Sequence, residues 1–266
     1  RADGAQPAST NGRQHVSRAS RDPGREYVAP VMKVRLRYAK RGRLRFSSHR
    51  DFQRAFERAL RRAGVPMAYS AGFRPHPKIS YANAAPTGVA SEAEYIEIGL
   101  AARFDVDELR VALNEAMPPG LDIEDAVEVR EGDLASRLEA SVWQIVLPDV
   151  APSDGERAVD ALLAAEQVEV ERMMKSGLRR FDARNAVRMA EVSIAPPEQG
   201  GCAILTVVVT YGTPSVRPDD VLAALRQVAD LVPPVPPQVT RLAQGRLAAD
   251  ARTVSDPLAP DRAGSD

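Results

Sequence analysis

Arginines recur at Arg50, Arg54, Arg58 and then Arg61 or Arg62, the spacing that lines guanidinium groups along one face of a helix. Like charges so placed repel by a few tenths of a kcal/mol per pair, and Glu57 stands among them as an offset. An external anion such as a nucleic-acid phosphate explains this stripe, because clustered guanidinium forks match phosphate oxygens. The alternative is a solvated face, salt-bridged to an acidic second helix. Just upstream, "RLRFSSHRD" sets Ser47, Ser48 and His49 at the helix start, where free amides and the positive dipole end attract anions. His49 there can hold phosphate, act as a general acid or base near neutral pH, or simply be a polar first-turn residue.

After the helix comes "YSAGFRPHPKISY", residues 69–81. Gly72 allows a turn with positive φ. Pro75 and Pro77 lack amide donors and hold their neighbours extended, which presents Arg74, His76 and Lys78 from a stiff loop. Tyr69, Phe73 and Tyr81 offer faces on which bases stack, or they pack in the core. His49 and His76 have no third ligand at a defined spacing, so no metal site is expected. A second basic stretch, "ERMMKSGLRRFDARNAVR", brings Arg172, Lys175, Arg179, Arg180, Arg184 and Arg188, with Gly177 at the turn. Packed beside the first helix, it would extend one basic groove. The chain lacks a GxxxxGK[ST] loop, a GxSxG elbow, an HExxH helix and a dinucleotide fingerprint. No cofactor is expected, and a conventional enzyme is poorly supported.

The elements that must position these residues follow from periodicity. Val34, Leu36 and Tyr38 alternate with Lys33, Arg35 and Arg37, which predicts a half-buried strand. Ser48 caps a helix, with Asp51 three residues on, and Phe52, Ala55, Phe56, Ala59, Leu60 and Ala63 form its apolar face up to Gly64. Strands follow near 78–82 and 94–100, then a helix capped by Asp105 and ended by Pro118-Pro119-Gly120, then a strand near 121–129. This β-α-β-β-α-β order is the split ferredoxin-like motif. It recurs as a strand at 143–147, a helix capped by Ser153 or Asp154, strands at 168–173 and 203–211, a helix opened by Arg217-Pro218-Asp219, and a closing strand within 238–247. An extra piece is inserted around 181–194.

The predicted fold is thus α+β, with two tandem ferredoxin-like domains at 32–133 and 140–247 between polar tails, 1–31 and 248–266, that read as disordered. Met32 reads as a true or alternative start, and residues 1–31 otherwise as a linker remnant. The 266 residues carry no net charge, but residues 32–78 hold 14 Lys or Arg against two acids, and residues 84–140 hold 14 acids against four Arg. The first segment calls for an anionic partner, unless the two neutralise each other. No run approaches the roughly 18 apolar residues of a membrane helix. The single cysteine, Cys202, excludes internal disulfides and multi-cysteine metal clusters. A cytoplasmic protein is expected.

The run "VRLRYAKRGRLRFSSHRDFQRAFERALRRAGVPMAYSAGFRPHPKISYANAAPTGVASEAEYIEI" closely resembles the bacterial radical SAM-associated protein family, whose function is unknown. "VERMMKSGLRRFDARNAV" resembles a second segment of it. The resemblance implies a radical SAM enzyme as partner, encoded beside members of the family or fused to them, and supplies no catalytic residue. With one cysteine the chain is not itself the radical enzyme, whose cluster takes three. Together these readings predict a non-catalytic accessory protein that binds RNA or a ribosome-related particle through the basic helix and loop. A metal-independent endoribonuclease using His49, and a module docking on the radical SAM partner, are the alternatives.

Overall fold

The computed structural model describes residues 29–71, 73–175 and 177–262. Residues 1–28 of the expected N-terminal tail, the turn glycine Gly72 and the last four residues of the expected C-terminal tail lie outside them.

Alternating apolar residues and well-placed caps build the first half in the expected order. Strand β1 (Met32–Lys40) leads through a 3₁₀ turn at Gly42–Phe46 to helix α1 (His49–Arg62). Ser48 caps α1, its hydroxyl oxygen accepting from the Asp51 amide at 3.1 Å. Strands β2 (Ile79–Ala82) and β3 (Ala90–Leu100), helix α2 (Val106–Ala116), capped by Asp105, and strand β4 (Ile123–Glu128) complete the half. The second half runs β5 (Ala140–Leu147), α3 (Pro152–Ala164), β6 (Glu169–Met174), β7 (Gly177–Asp182), β8 (Val187–Ile194), β9 (Ala203–Thr210), α4 (Pro218–Ala229) and β10 (Gln238–Gly245). A single turn, α5 (Ala259–Arg262), follows.

Both halves share one open, mostly antiparallel sheet in the order β4-β1-β3-β10-β5-β9-β8, with β2 also on β3. The 11-residue β3 makes the join. Its Tyr95–Ile98 stretch pairs with β2, while Ala90 and Ser91 pair in parallel with Thr240 and Arg241 of β10. The fold class is therefore α+β.

Each half has its own core. On one face of the first half, Val34, Leu36, Ile96 and Ile98 meet Phe52, Phe56, Leu60, Leu109 and Leu113 from α1 and α2. Phe52 stacks on Tyr38 with ring centroids 4.2 Å apart, a pairing worth about 1 kcal/mol beyond its burial. In the second half, Trp143, Ile145, Leu205 and Val207 pack under Leu162 of α3 and Leu225 of α4.

Three expectations need correction. The strand expected at 168–173 is not in the main sheet: β6 pairs with β7 in a separate two-stranded hairpin, and β8 takes the sheet position beside β9. Alternation is the same whichever partner a strand takes, so period alone misassigns it. Helix α3 is capped at Ala151 with Pro152 in its first turn, not by Ser153 or Asp154; proline's fixed φ and missing amide suit that position. The segment 248–262, expected to be disordered, folds back over the first half. Leu258 is fully buried with Tyr95 and Val127 on the second face of the sheet. Asp261 accepts from Arg35 Nη1 at 2.8 Å, Arg137 Nη1 at 2.7 Å and the Arg130 amide at 3.1 Å. Arg35, on the polar side of β1's alternation, is thus fully buried.

Candidate nucleic-acid interface

The charge asymmetry of the sequence resolves into two populations. On the sheet, basic and acidic residues neutralise each other. Lys33 and Arg35 pair with Glu97, and Arg41 pairs with Glu92, Asp122 and Glu124. On α1 the arginines have no ion pair among the described residues, and the Asp51 carboxyl at the helix start feels the charges of Arg50 and Arg54. Arg50, Arg54, Arg58 and Arg61 all lie on the exposed face of α1, and among the described residues no carboxylate comes within 4 Å of them. The expected stripe is therefore present, and the acidic segment spends its charge elsewhere.

The start of the helix is partly self-satisfied. The Ser48 hydroxyl donates to Asp51 Oδ2 at 2.7 Å, and this bond, helped by the Ser48 backbone amide and the charges of Arg54 and Arg50, holds the Asp51 carboxyl below its usual range. The protein thus places one anion of its own at this positive dipole end. Ser47 lies at the end of the 3₁₀ turn, its amide bonded to the Leu44 carbonyl at 3.0 Å. His49 is exposed, sits 3.1 Å from Gln53 Nε2 and meets the Tyr81 ring edge-on at 4.9 Å. Tyr81 also packs on Phe52. Burial, with the charge of Glu57, pushes its hydroxyl well above the usual range, and that buried hydroxyl has no hydrogen-bond partner among the described residues.

The 69–78 loop is stiffened by more than its prolines. The Ser70 amide donates to the His76 carbonyl at 2.8 Å, the His76 amide to Ser70 Oγ at 3.0 Å, and the Lys78 amide to the Ala68 carbonyl at 2.8 Å, while Tyr69 bridges Pro77. This narrow hairpin carries Phe73, 90% exposed, Tyr69, 48% exposed, and the exposed Arg74 and His76. Lys78 is half-buried at its base, entering β2. Of the three candidate stacking aromatics, Tyr69 and Phe73 face solvent and Tyr81 joins the core. Phe73, left almost fully in water, contributes little to packing.

Sequence reasoning missed the 3₁₀ turn just before α1. There Phe46 is 60% exposed and the Arg45 guanidinium lies 4.8 Å over its ring. The "RLRF" run, with basic residues beside an aromatic ahead of a cap, was the available signal.

The second basic stretch divides. Arg172 is bound to Asp220 and the Ser215 carbonyl, and Arg184 donates to the carbonyls of Val187 and Leu163, so both hold the fold together. Arg180 pairs with Glu171. Lys175 and Arg179 are exposed on the β6–β7 hairpin, beside the exposed Met173 and Leu178. The hairpin packs against α4, whereas α1 packs against α2. Among the described residues no group of three or more His, Cys, Asp or Glu is arranged to hold a metal ion, and no helix is long and apolar enough to cross a membrane.

A model for uncharacterized proteins conserved in bacteria, the DUF2344 family, matches residues 33–218, a span that includes α1, the 69–78 loop and the β6–β7 hairpin. The chain belongs to this family. No curated protein matches it.

Proposed function

We propose that this DUF2344 protein is a non-catalytic accessory protein of a radical SAM enzyme, and that it holds RNA or a ribonucleoprotein particle on the α1 face and the 69–78 loop. The carrying observation is the row of exposed guanidinium groups at Arg50, Arg54, Arg58 and Arg61, without ion pairs among the described residues, together with a hairpin that holds Phe73 in solvent. Cations that repel one another along a helix gain most from a polyanion, and an exposed aromatic gives a base a surface to stack on. Lys175 and Arg179 form a second basic contact on the β6–β7 hairpin, with Arg180, already paired with Glu171, alongside. The radical SAM pairing rests on the sequence resemblance, and the buried single cysteine suits a reducing cytoplasm.

The scaffold reads as two tandem ferredoxin-like units. The orders β4-β1-β3-β2 and β10-β5-β9-β8 support this, each placing the fourth strand beside the first and the second at the far edge. The β6–β7 hairpin is then an insertion between α3 and the second strand of the second unit.

The test is binding of the full chain to bacterial RNA as a function of salt. A steep negative log–log slope is expected, and no binding at low salt ends the proposal. RNA cleavage lost in His49→Ala would make the protein a nuclease instead. Capture of the radical SAM partner that survives nuclease, but fails with Arg54→Glu and Arg58→Glu, would make the basic face a protein-docking surface.

A further inference from the structure

A second site lies where the two halves join. A cavity of about 410 Å³ opens between the loop after β2, the start of α4 and the facing strands β5 and β10. Its lining includes Trp143, Tyr211, Arg217 and Arg241. Trp143 and Arg241 are each only 3% exposed, and the indole Nε1–H and the guanidinium Nε–H are buried with no acceptor among the described residues. A buried donor left without an acceptor costs free energy that a suitably placed ligand atom would recover.

The surroundings determine which ligand that is. Arg241 Nη1 is already committed to Glu94 Oε1 at 2.8 Å and to the Asn83 carbonyl at 2.6 Å, and its guanidinium lies 4.6 Å over the Trp143 ring. Glu94 is further occupied by the Ala85 amide at 2.9 Å, and no carboxylate lines the cavity. The Tyr211 hydroxyl donates to Gln244 and the Ser215 hydroxyl to the Gly212 carbonyl. Arg217 is exposed at the N-terminal end of α4, its amide donating to Asp220 at 2.7 Å, and no carboxylate lies within 4 Å of its guanidinium among the described residues. The buried groups left without a partner here are therefore both donors, which suits a negatively charged, acceptor-only group.

We propose that this cavity binds a small oxyanion, a phosphate- or carboxylate-bearing molecule, held by Arg217 at the rim and by the Arg241 and Trp143 N–H groups inside. The site joins loop, β5 and β10, so its occupant ties the two halves together. It is separate from the α1 face, and its occupancy does not depend on whether that face binds RNA.

Trp143 is the only tryptophan in the chain, so its emission reports on the surroundings of this one ring, which lines the cavity. The full chain is titrated with inorganic phosphate, a nucleoside monophosphate and succinate, each against sodium chloride at matched ionic strength. A saturable change in Trp143 emission is expected with at least one oxyanion and not with chloride, and the pattern among the three separates phosphate from carboxylate. Arg217→Ala should weaken that response at least tenfold and Arg217→Lys should restore part of it, with circular dichroism unchanged in both. No saturable response to any of the three, an equal response to chloride, or an undiminished response in Arg217→Ala each overturns the proposal.

Discussion

Replacing Arg54 and Arg58 together by glutamine separates a binding stripe from a structural one, because the two roles predict opposite signs for stability. Both side chains are exposed on α1 and neither forms an ion pair among the described residues, so their removal relieves i,i+4 repulsion and stabilises the helix by about 0.5 kcal/mol. For a chain of this size that raises Tm by about 1–2 °C. Binding moves the other way. If Arg50, Arg54, Arg58, Arg61 and Arg74 each neutralise one phosphate of single-stranded RNA, the log–log salt slope is about −3.5 for the native chain and about −2.1 for the double variant. Loss of two charge-assisted contacts costs about 2 kcal/mol, or roughly 30-fold in affinity at low salt. Fluorescence anisotropy with labelled RNA at several salt concentrations gives the slope, and thermal unfolding gives the stability. An unchanged slope would refute the reasoning, and so would weaker binding accompanied by a lower Tm, which would mean that the arginines hold the fold together.

Phe73→Ala should leave Tm within about 1 °C, since the ring is 90% exposed, yet weaken RNA binding by about 1–3 kcal/mol if a base stacks on it. Asp261→Asn should destabilise the protein by about 3 kcal/mol by leaving Arg35 and Arg137 short of a buried counter-charge. Burial opposes the Asp261 charge, but hydrogen bonds from Arg137, the Arg130 amide and Arg35 hold its carboxyl below the usual range. Its stabilisation is therefore full above the unfolded-state value of about 4 and is lost as pH falls through the lower folded value. Urea unfolding from pH 7 to 3 should accordingly fall less steeply for Asp261→Asn than for the native chain. Gly245→Ala should detach the C-terminal segment, because its Cβ would sit 1.8 Å from the Ser255 carbonyl oxygen; faster proteolysis after residue 245 reports it. Ser48→Ala should cost about 1 kcal/mol in thermal or urea unfolding through loss of the α1 cap.

What was legible in the sequence was local. The α1 cap and apolar face, the exposed arginine row and the element order of the first half depend on residues within a turn or two of each other. What was hidden depends on distant partners. Asp261 binds residues more than a hundred positions away, so a polar, unperiodic tail gave no hint that it covers β1. The alternation of Arg35 read as a wet strand face for the same reason. Arg172 and Arg184 looked like members of a surface patch because arginine type and spacing do not reveal a buried carboxylate or carbonyl opposite. Strand β6 was read as part of the main sheet because strand period is silent about partners. The cavity at the junction was invisible, since Trp143 and Arg241 meet only through the β5–β10 pairing.

The central claim is that nucleic acid lies across α1 and the 69–78 loop, and photocrosslinking of the full chain to RNA in its native cell, with the crosslinked peptides mapped by mass spectrometry, tests it most directly. Crosslinks should concentrate at Phe46, Tyr69 and Phe73 and be lost when Arg54 and Arg58 are replaced by glutamine. Crosslinks that map elsewhere on the chain, or none at all, would contradict the central claim.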